Sequence, residues 1–287
     1  IKENIPIMRE INVKCITQAV KKLCIESNYY LSQDVKDRIK TSEEQEKWPI
    51  AKDILNKILQ NIDISKNGEM PMCQDTGMAC VFVEIGQEVH ITGGSIEDAI
   101  NEGVREGYTE GYLRKSIVKD PIRRINTEDN TPAIINYDIV MGDKLKITVS
   151  PKGFGSENMS QIKMLKPADG IEGVKKFILK AVKDAGPNPC PPIVVGVGIG
   201  GNFDKVANLA KRALIRPLNK RNDDKFYADL EKELLQKINL TGIGPQGFGG
   251  MTTALAVNIE TYPTHIAGLP VAVNINCHVT RHKEIEL

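Results

Sequence analysis

The chain has 287 residues, 41% of them hydrophobic and 26% charged, with a net charge of +1. This is the composition of a folded globular protein, and the balanced charge excludes a field built for nucleic acid or an acidic membrane surface. No apolar run reaches the length of a bilayer span.

Residues 1 to 4 lack the apolar stretch of a secretion signal, and the missing Met sets the expectation that residues have been lost upstream. Six cysteines without dense spacing fit a reducing, cytoplasmic compartment. Residues 8 to 27 are expected to be helical, because Ile11, Cys15, Ala19 and Leu23 recur every four residues beside Ile16 and Val20. Cys15 then packs on the apolar face and Cys24 at its edge. Further helices are expected over residues 33 to 42 and 48 to 61, before Asn67-Gly68 turns the chain.

Three single cysteines follow on unusual loops: Cys73 in Met70-Pro-Met-Cys-Gln-Asp-Thr-Gly77, Cys190 in Gly186-Pro-Asn-Pro-Cys-Pro-Pro192, and Cys277 in Asn274-Ile-Asn-Cys-His-Val-Thr280. Proline fixes φ and removes a donor, so the first two loops interrupt regular structure. Thiols so far apart, each at the end of an element, suit a shared cofactor better than a zinc knuckle, which brings its ligands in close pairs. The alternative is that each is a small buried hydrophobe, as expected of Cys80 in the strand at 79 to 85.

Ser95 opens a helix with the pattern of an N-cap. Gly103, Gly107 and Gly111 then share one face, which either admits another backbone closely or breaks the helix. Arg114, Lys115, Arg123 and Arg124 form a solvated run or line an anionic pocket, since arginine grips a carboxylate with two parallel hydrogen bonds. Residues 133 to 140 and 144 to 150 read as a β-hairpin joined by Met141-Gly-Asp143. It delivers Lys152-Gly-Phe-Gly-Ser-Glu-Asn158, which has the make-up of an anion-contacting loop or a tight turn.

A helix over 171 to 185 stops at Gly186-Pro187. The strand at 193 to 197 runs into Gly196-Val-Gly-Ile-Gly-Gly201, formally a dinucleotide fingerprint, with a helix over 203 to 215 behind it and Asp223-Asp224 near the place of a ribose-binding acid; the preferred alternative is that the glycines let the strand-to-helix turn pass close to a cofactor or substrate. A helix over 223 to 239 precedes a second glycine-rich loop, residues 241 to 250, in which Gln246 is the single long polar side chain. Strands are expected over 251 to 259 and 266 to 275, with His265 in the connection as a functional or merely loop-stapling imidazole. His278 and His282 flank the close. The whole reads as α+β: a helical N-terminal part, then mixed and antiparallel sheets with crossover helices, in one domain over 1–287.

At these loops the sequence resembles the class I fumarate hydratases, the iron–sulfur hydro-lyases. More narrowly it is similar to the separate α subunit of their two-subunit form and to the α subunit of L(+)-tartrate dehydratase. The stretches that carry this are Met72-Cys-Gln-Asp-Thr-Gly77, Leu113-Arg-Lys-Ser116, Lys152 to Asn158, Pro189-Cys-Pro-Pro192, Gly242 to Gly250, Thr264-His-Ile-Ala267 and Asn276-Cys-His278.

The resemblance implies that Cys73, Cys190 and Cys277 hold a 4Fe–4S cluster with one open iron. It implies that Gln74, Asp75, Arg114, Gly155 and His265 contact substrate, with Asp75 and His265 handling a proton and Arg114 clamping a carboxylate. The implied reaction is reversible hydration of fumarate to (S)-malate in the tricarboxylic acid cycle, with dehydration of L(+)-tartrate as the alternative. Fused family members carry a catalytic Thr and further Arg and Lys contacts in a C-terminal domain. The corresponding expectation is a separate β subunit that closes the site, with two α chains in a heterotetramer. A non-catalytic iron–sulfur carrier or sensor is the reading from another class, and it leaves the Arg, Gln and His unexplained. A dehydrogenase built on the 196–201 glycines is the third.

Overall fold

The computed structural model describes residues 8–287; the readings made at residues 1 to 4 lie outside them. The elements in chain order are β1 (Arg9–Asn12), α1 (Val13–Tyr29), α2 (Gln33–Gln45), α3 (Pro49–Gly68), β2 (Met78–Gly86), β3 (Val89–Thr92), α4 (Ile96–Glu110), β4 (Ile134–Val140), β5 (Leu145–Lys152), α5 (Phe154–Glu157), β6 (Gln161–Leu165), α6 (Gly170–Ala185), β7 (Ile193–Gly201), α7 (Phe203–Ala213), α8 (Lys225–Asn239), β8 (Ala254–Thr264), β9 (Leu269–Asn276) and β10 (Lys283–Glu286). The mixed α and β architecture is the expected one. The described chain folds into two compact units from interleaved segments: one takes residues 8–30, Ser65–Lys152 and Arg281–Leu287, the other Leu31–Ile64 and Gly153–Thr280.

In the first unit the sheet order is β10-β5-β2-β4, with β1 and β3 forming a separate parallel pair. The helix expected from residue 8 begins instead at Val13. Residues 9–12 extend along β3, and the Asn12 side chain accepts the Lys14 N–H at 3.0 Å, an N-cap that starts the helix there. The buried face of α1 is Ile16, Ala19, Val20, Leu23 and Cys24, so the two cysteines exchange roles: Cys15 is exposed and Cys24 lies in the core. The glycine stripe of α4 admits α1. A Cβ at Gly103 would stand 2.6 Å from the Thr17 carbonyl oxygen, and one at Gly107 2.9 Å from the Cys24 Cβ. The two helices, with Tyr108 fully buried, cover Val81, Val83, Ile147 and Val149 of the sheet. Burial of each such side chain contributes about 1.5–3 kcal/mol.

The expected hairpin does not form. β4 pairs parallel with β2 and β5 pairs antiparallel with β2, so the two expected partners flank it. β2 is apolar from Ala79 to Val83 and takes the interior place, where both faces are covered. The 141–144 connection crosses its end at Gly86, where a Cβ would meet the Gly142 carbonyl oxygen at 2.2 Å.

In the second unit the order is β6-β9-β7-β8, with β7 parallel to β8 and antiparallel to β9. One face packs on α6 and α8 through Ile178, Leu234 and Ile238. Val194, Leu255 and Ala256 pack with Val35 and Ile39 of α2 and Leu55 and Ile58 of α3. The dinucleotide reading is overturned. Gly196 and Gly198 lie inside β7, not in a turn, and they make room for α7: a Cβ at either would stand 2.2 Å from the carbonyl oxygen of Ala210 or Val206. Asp224 caps α8, accepting the Phe226 N–H at 2.8 Å. Among the described residues no helix is long and apolar enough to cross a membrane.

Candidate active site

The Cys73 loop belongs to the first unit. The Cys73 thiol lies 3.3 Å from Gln74 Oε1, and the Asp75 N–H donates to the sulfur at 3.4 Å. Asp75 Oδ1 accepts the Gly77 N–H at 3.0 Å, an Asx-turn that bends the loop back toward β2. Gly77 has φ of 74°, and a Cβ there would meet the Lys152 backbone at 2.7 Å, so only glycine serves.

Residues that sequence reasoning missed hold this loop. The buried Tyr108 hydroxyl stands 2.8 and 3.0 Å from the carbonyl oxygens of Thr76 and Gly77. The fully buried Asn130 donates to the Gly77 carbonyl at 3.2 Å and accepts the Ser116 N–H at 2.7 Å. Thr76 Oγ1 donates to the Arg114 carbonyl oxygen at 3.1 Å. Arg114 is thereby fixed by its backbone beside the Cys73 loop while its side chain is exposed. Buried Arg281 donates through Nη2 to the Asp75 carbonyl oxygen, and its Nε is buried without a hydrogen-bond partner. No spacing rule links positions 108, 130 and 281 to a loop at 73.

The Cys190 and Cys277 loops belong to the second unit, and the sheet brings them together. β7 and β9 pair so that Val194 faces Asn276, leaving both cysteines just beyond the same sheet end. The His278 N–H donates to the Cys190 carbonyl oxygen at 3.4 Å. Cys190 has φ of 55°, the left-handed region. Gln246 anchors the glycine-rich loop to the same place: its backbone N–H and its Nε2 donate to the Pro191 carbonyl at 2.8 and 2.7 Å. Gly247 packs where a Cβ would stand 2.4 Å from Pro187. Gly155, in α5, is also at this end, with a Cβ position 3.7 Å from the Asn188 carbonyl oxygen. Lys152 is a buried residue at the end of β5, and Glu157 pairs with Lys211 at 2.7 Å.

His265 is elsewhere. It follows the last residue of β8, whose first residue, Ala254, pairs with Ile193 beside the Cys190 loop. The length of β8 separates it from Cys190 by about 30 Å. There it is exposed and lines a cavity of about 360 Å³ with Ile199 and Phe226.

The cysteines form no disulfide among the described residues, and no three His, Cys, Asp or Glu side chains among them stand grouped to hold a metal ion. The donor chemistry nevertheless fits an iron–sulfur group, which takes thiolates. Cys73, Cys190 and Cys277 sit on loops with exposed or half-buried side chains, whereas Cys24 and Cys80 are buried. The N–H donated to the Cys73 sulfur and the partnerless cationic Nε of Arg281 suit an anionic neighbour.

Over residues 17–286 the chain belongs to a family of hydro-lyases. The family is fumarate hydratase (Fumerase), whose model matches residues 17–286. A Methanocaldococcus jannaschii protein described as a candidate L(+)-tartrate dehydratase subunit alpha is 44% identical over 280 residues, covering 95% of this chain and 98% of that one. The L(+)-tartrate dehydratase subunit alpha of Escherichia coli strain UTI89 is 31% identical over 273 residues, covering 94% of this chain and 89% of that one.

Proposed function

We propose that the chain is the α subunit of an iron–sulfur hydro-lyase that hydrates fumarate reversibly to (S)-malate in the cytoplasm, acting as one α-type domain over 1–287. The observation that carries this is the set of three loop thiols, Cys73, Cys190 and Cys277, in a chain of the fumarate hydratase family. These would hold a 4Fe–4S cluster whose open iron supplies the Lewis acidity that eases departure of hydroxide.

The remaining work falls to protein side chains. Arg114, exposed and with its backbone fixed, is free to take a substrate carboxylate in a two-bond grip. Gln74 orients the substrate by hydrogen bonding, and exposed Gly155 offers approach without a side chain. Asp75 handles the proton next to the carboxylate, with His265 as its partner. His265 stands at the far end of its own sheet, so its part in the reaction requires a second α chain. This supports a homodimer of α chains within a heterotetramer. A β subunit supplies further cationic contacts and closes the site to water, and the subunit names of the relatives support it.

The second reading is dehydration of L(+)-tartrate, favoured by the names of the same relatives. Dehydration of malate, the reverse of fumarate hydration, and dehydration of L-tartrate each remove water across a carbon–carbon bond of a four-carbon diacid. Anaerobic co-expression with the β chain, followed by assays on malate, fumarate and L-tartrate, decides between them. Failure on all three would refute the proposal.

A further inference from the structure

A cavity of about 690 Å³ opens in the second unit, lined by α2, α8, Arg221 and the approach to β8. Its cations are Arg38, Arg221 and Lys232, and its lining includes no carboxylate. Arg38 is anchored, donating through Nε to the Leu255 carbonyl oxygen at 3.0 Å. Arg221 is not: its Nη1 is buried and has no hydrogen-bond partner. Burial, then the neighbouring charge of Arg221, pushes the Arg38 guanidinium below its ordinary range. Buried donors are normally satisfied, and like charges are normally separated or neutralised. An anion in the cavity neutralises the neighbouring guanidinium charges, which no carboxylate of the lining does. Beside the cations lie Leu235, Leu240 and Met251, an apolar wall, with Thr41 and Gln236 as neutral polar groups.

We propose that this cavity binds a small organic phosphate, its phosphoryl group held by Arg38, Arg221 and Lys232 and its apolar body lying on Leu235, Leu240 and Met251. A phosphoryl dianion has the charge and the several acceptor oxygens that two guanidinium forks and an ammonium require. A monocarboxylate leaves part of that demand unmet. The volume is that of a small-molecule site.

The test is calorimetric titration of the intact chain with phenyl phosphate, inorganic phosphate and succinate at equal ionic strength. The wild type is compared with Arg221→Gln and Lys232→Gln. Phenyl phosphate should bind about tenfold or more tighter than inorganic phosphate, and succinate weakest. Arg221→Gln should weaken phenyl phosphate about tenfold, and Lys232→Gln severalfold. Neither variant should lower the ligand-free melting temperature, since Arg221 Nη1 has no bond to lose. Ester binding that is unchanged in both variants would place the ligand elsewhere and overturn the site. Equal binding of ester and inorganic phosphate would overturn the organic ligand. Succinate binding as tightly as the ester would overturn the phosphoryl class, and no binding in the millimolar range would remove the proposal. Should Arg221→Gln fail to fold, the exposed Lys232→Gln carries the same judgement.

Discussion

The His278 imidazole stands against the backbone of Cys190, with Nδ1 3.0 Å from the Cys190 carbonyl oxygen and 3.2 Å from Gln246 Nε2. A proton on Nδ1 serves the carbonyl; a bare Nδ1 accepts from the amide. Either tautomer ties the loop that follows β9 to the Cys190 loop or to its Gln246 brace. His278→Ala should therefore cost about 1 kcal/mol in urea unfolding, the net worth of one hydrogen bond. It should also lower iron retention more than it lowers stability. Iron retention equal to wild type would show that this contact does not position Cys190.

The cysteines should separate by reactivity. Burial pushes the Cys24 thiol up to about 12, and Cys80 is buried in β2. The thiolate is the nucleophile, so alkylation of the native, iron-free chain near pH 8 should modify Cys15, Cys73, Cys190 and Cys277 and spare Cys24 and Cys80. After anaerobic cluster loading only Cys15 should still react. Mass spectrometry of the digested protein reads this directly, and continued labelling of Cys73 in the loaded protein would remove it from the ligand set.

Two glycines and an arginine distinguish function from folding. Gly198→Ala forces a Cβ toward the Val206 carbonyl oxygen and should destabilise by about 1–3 kcal/mol, as overpacking does. Gly155→Ala meets nothing closer than 3.7 Å and should melt like the wild type while impairing substrate use. Arg114→Ala keeps the Thr76 contact, which is to the backbone, and should melt normally. It should lower kcat/KM of the assembled enzyme by about 10²-fold or more. A fall in the melting temperature of Arg114→Ala that matched its loss of activity would assign it a structural role instead.

Acid should loosen the segment beside the Cys73 loop. Burial disfavours the Asp129 charge, but the Thr131 N–H and hydroxyl and Arg105 Nε outweigh it and hold the carboxyl at about 2, against 3.8 ordinarily. The folded value is the lower one. The stabilisation is therefore complete above about pH 4 and lost as pH falls toward 2. Allowing for partial exposure it is worth about 1–2 kcal/mol. Asp129→Asn should lower stability at neutral pH and flatten the acid limb in that window; an unaltered acid limb would contradict the assignment.

Periodicity made the helices and the glycine stripe of α4 legible, because both depend on neighbours three and four residues away. The place of β2 between β4 and β5 was not legible, since it is set by competition among strands more than fifty residues apart. Cys15 was misplaced because a strict four-residue spacing drifts round a helix of 3.6 residues per turn, and the buried face runs instead through Ile16, Ala19, Val20, Leu23 and Cys24. At the site the three cysteine loops stood out by their own residues. Their supports, Tyr108, Asn130 and Arg281, are ordinary residues in ordinary contexts, and only the fold brings them to the Cys73 loop. The separation of His265 from Cys190 follows from the length and direction of β8, which the residue types at its end do not encode.

Iron bound per chain after anaerobic reconstitution tests the central claim most directly. A 4Fe–4S site predicts about four irons per chain. Cys73→Ser, Cys190→Ser and Cys277→Ser should each abolish stable loading, while Cys15→Ser, Cys24→Ser and Cys80→Ser should retain it. Full loading in any of the first three, or an empty site caused by Cys15→Ser, would contradict the account.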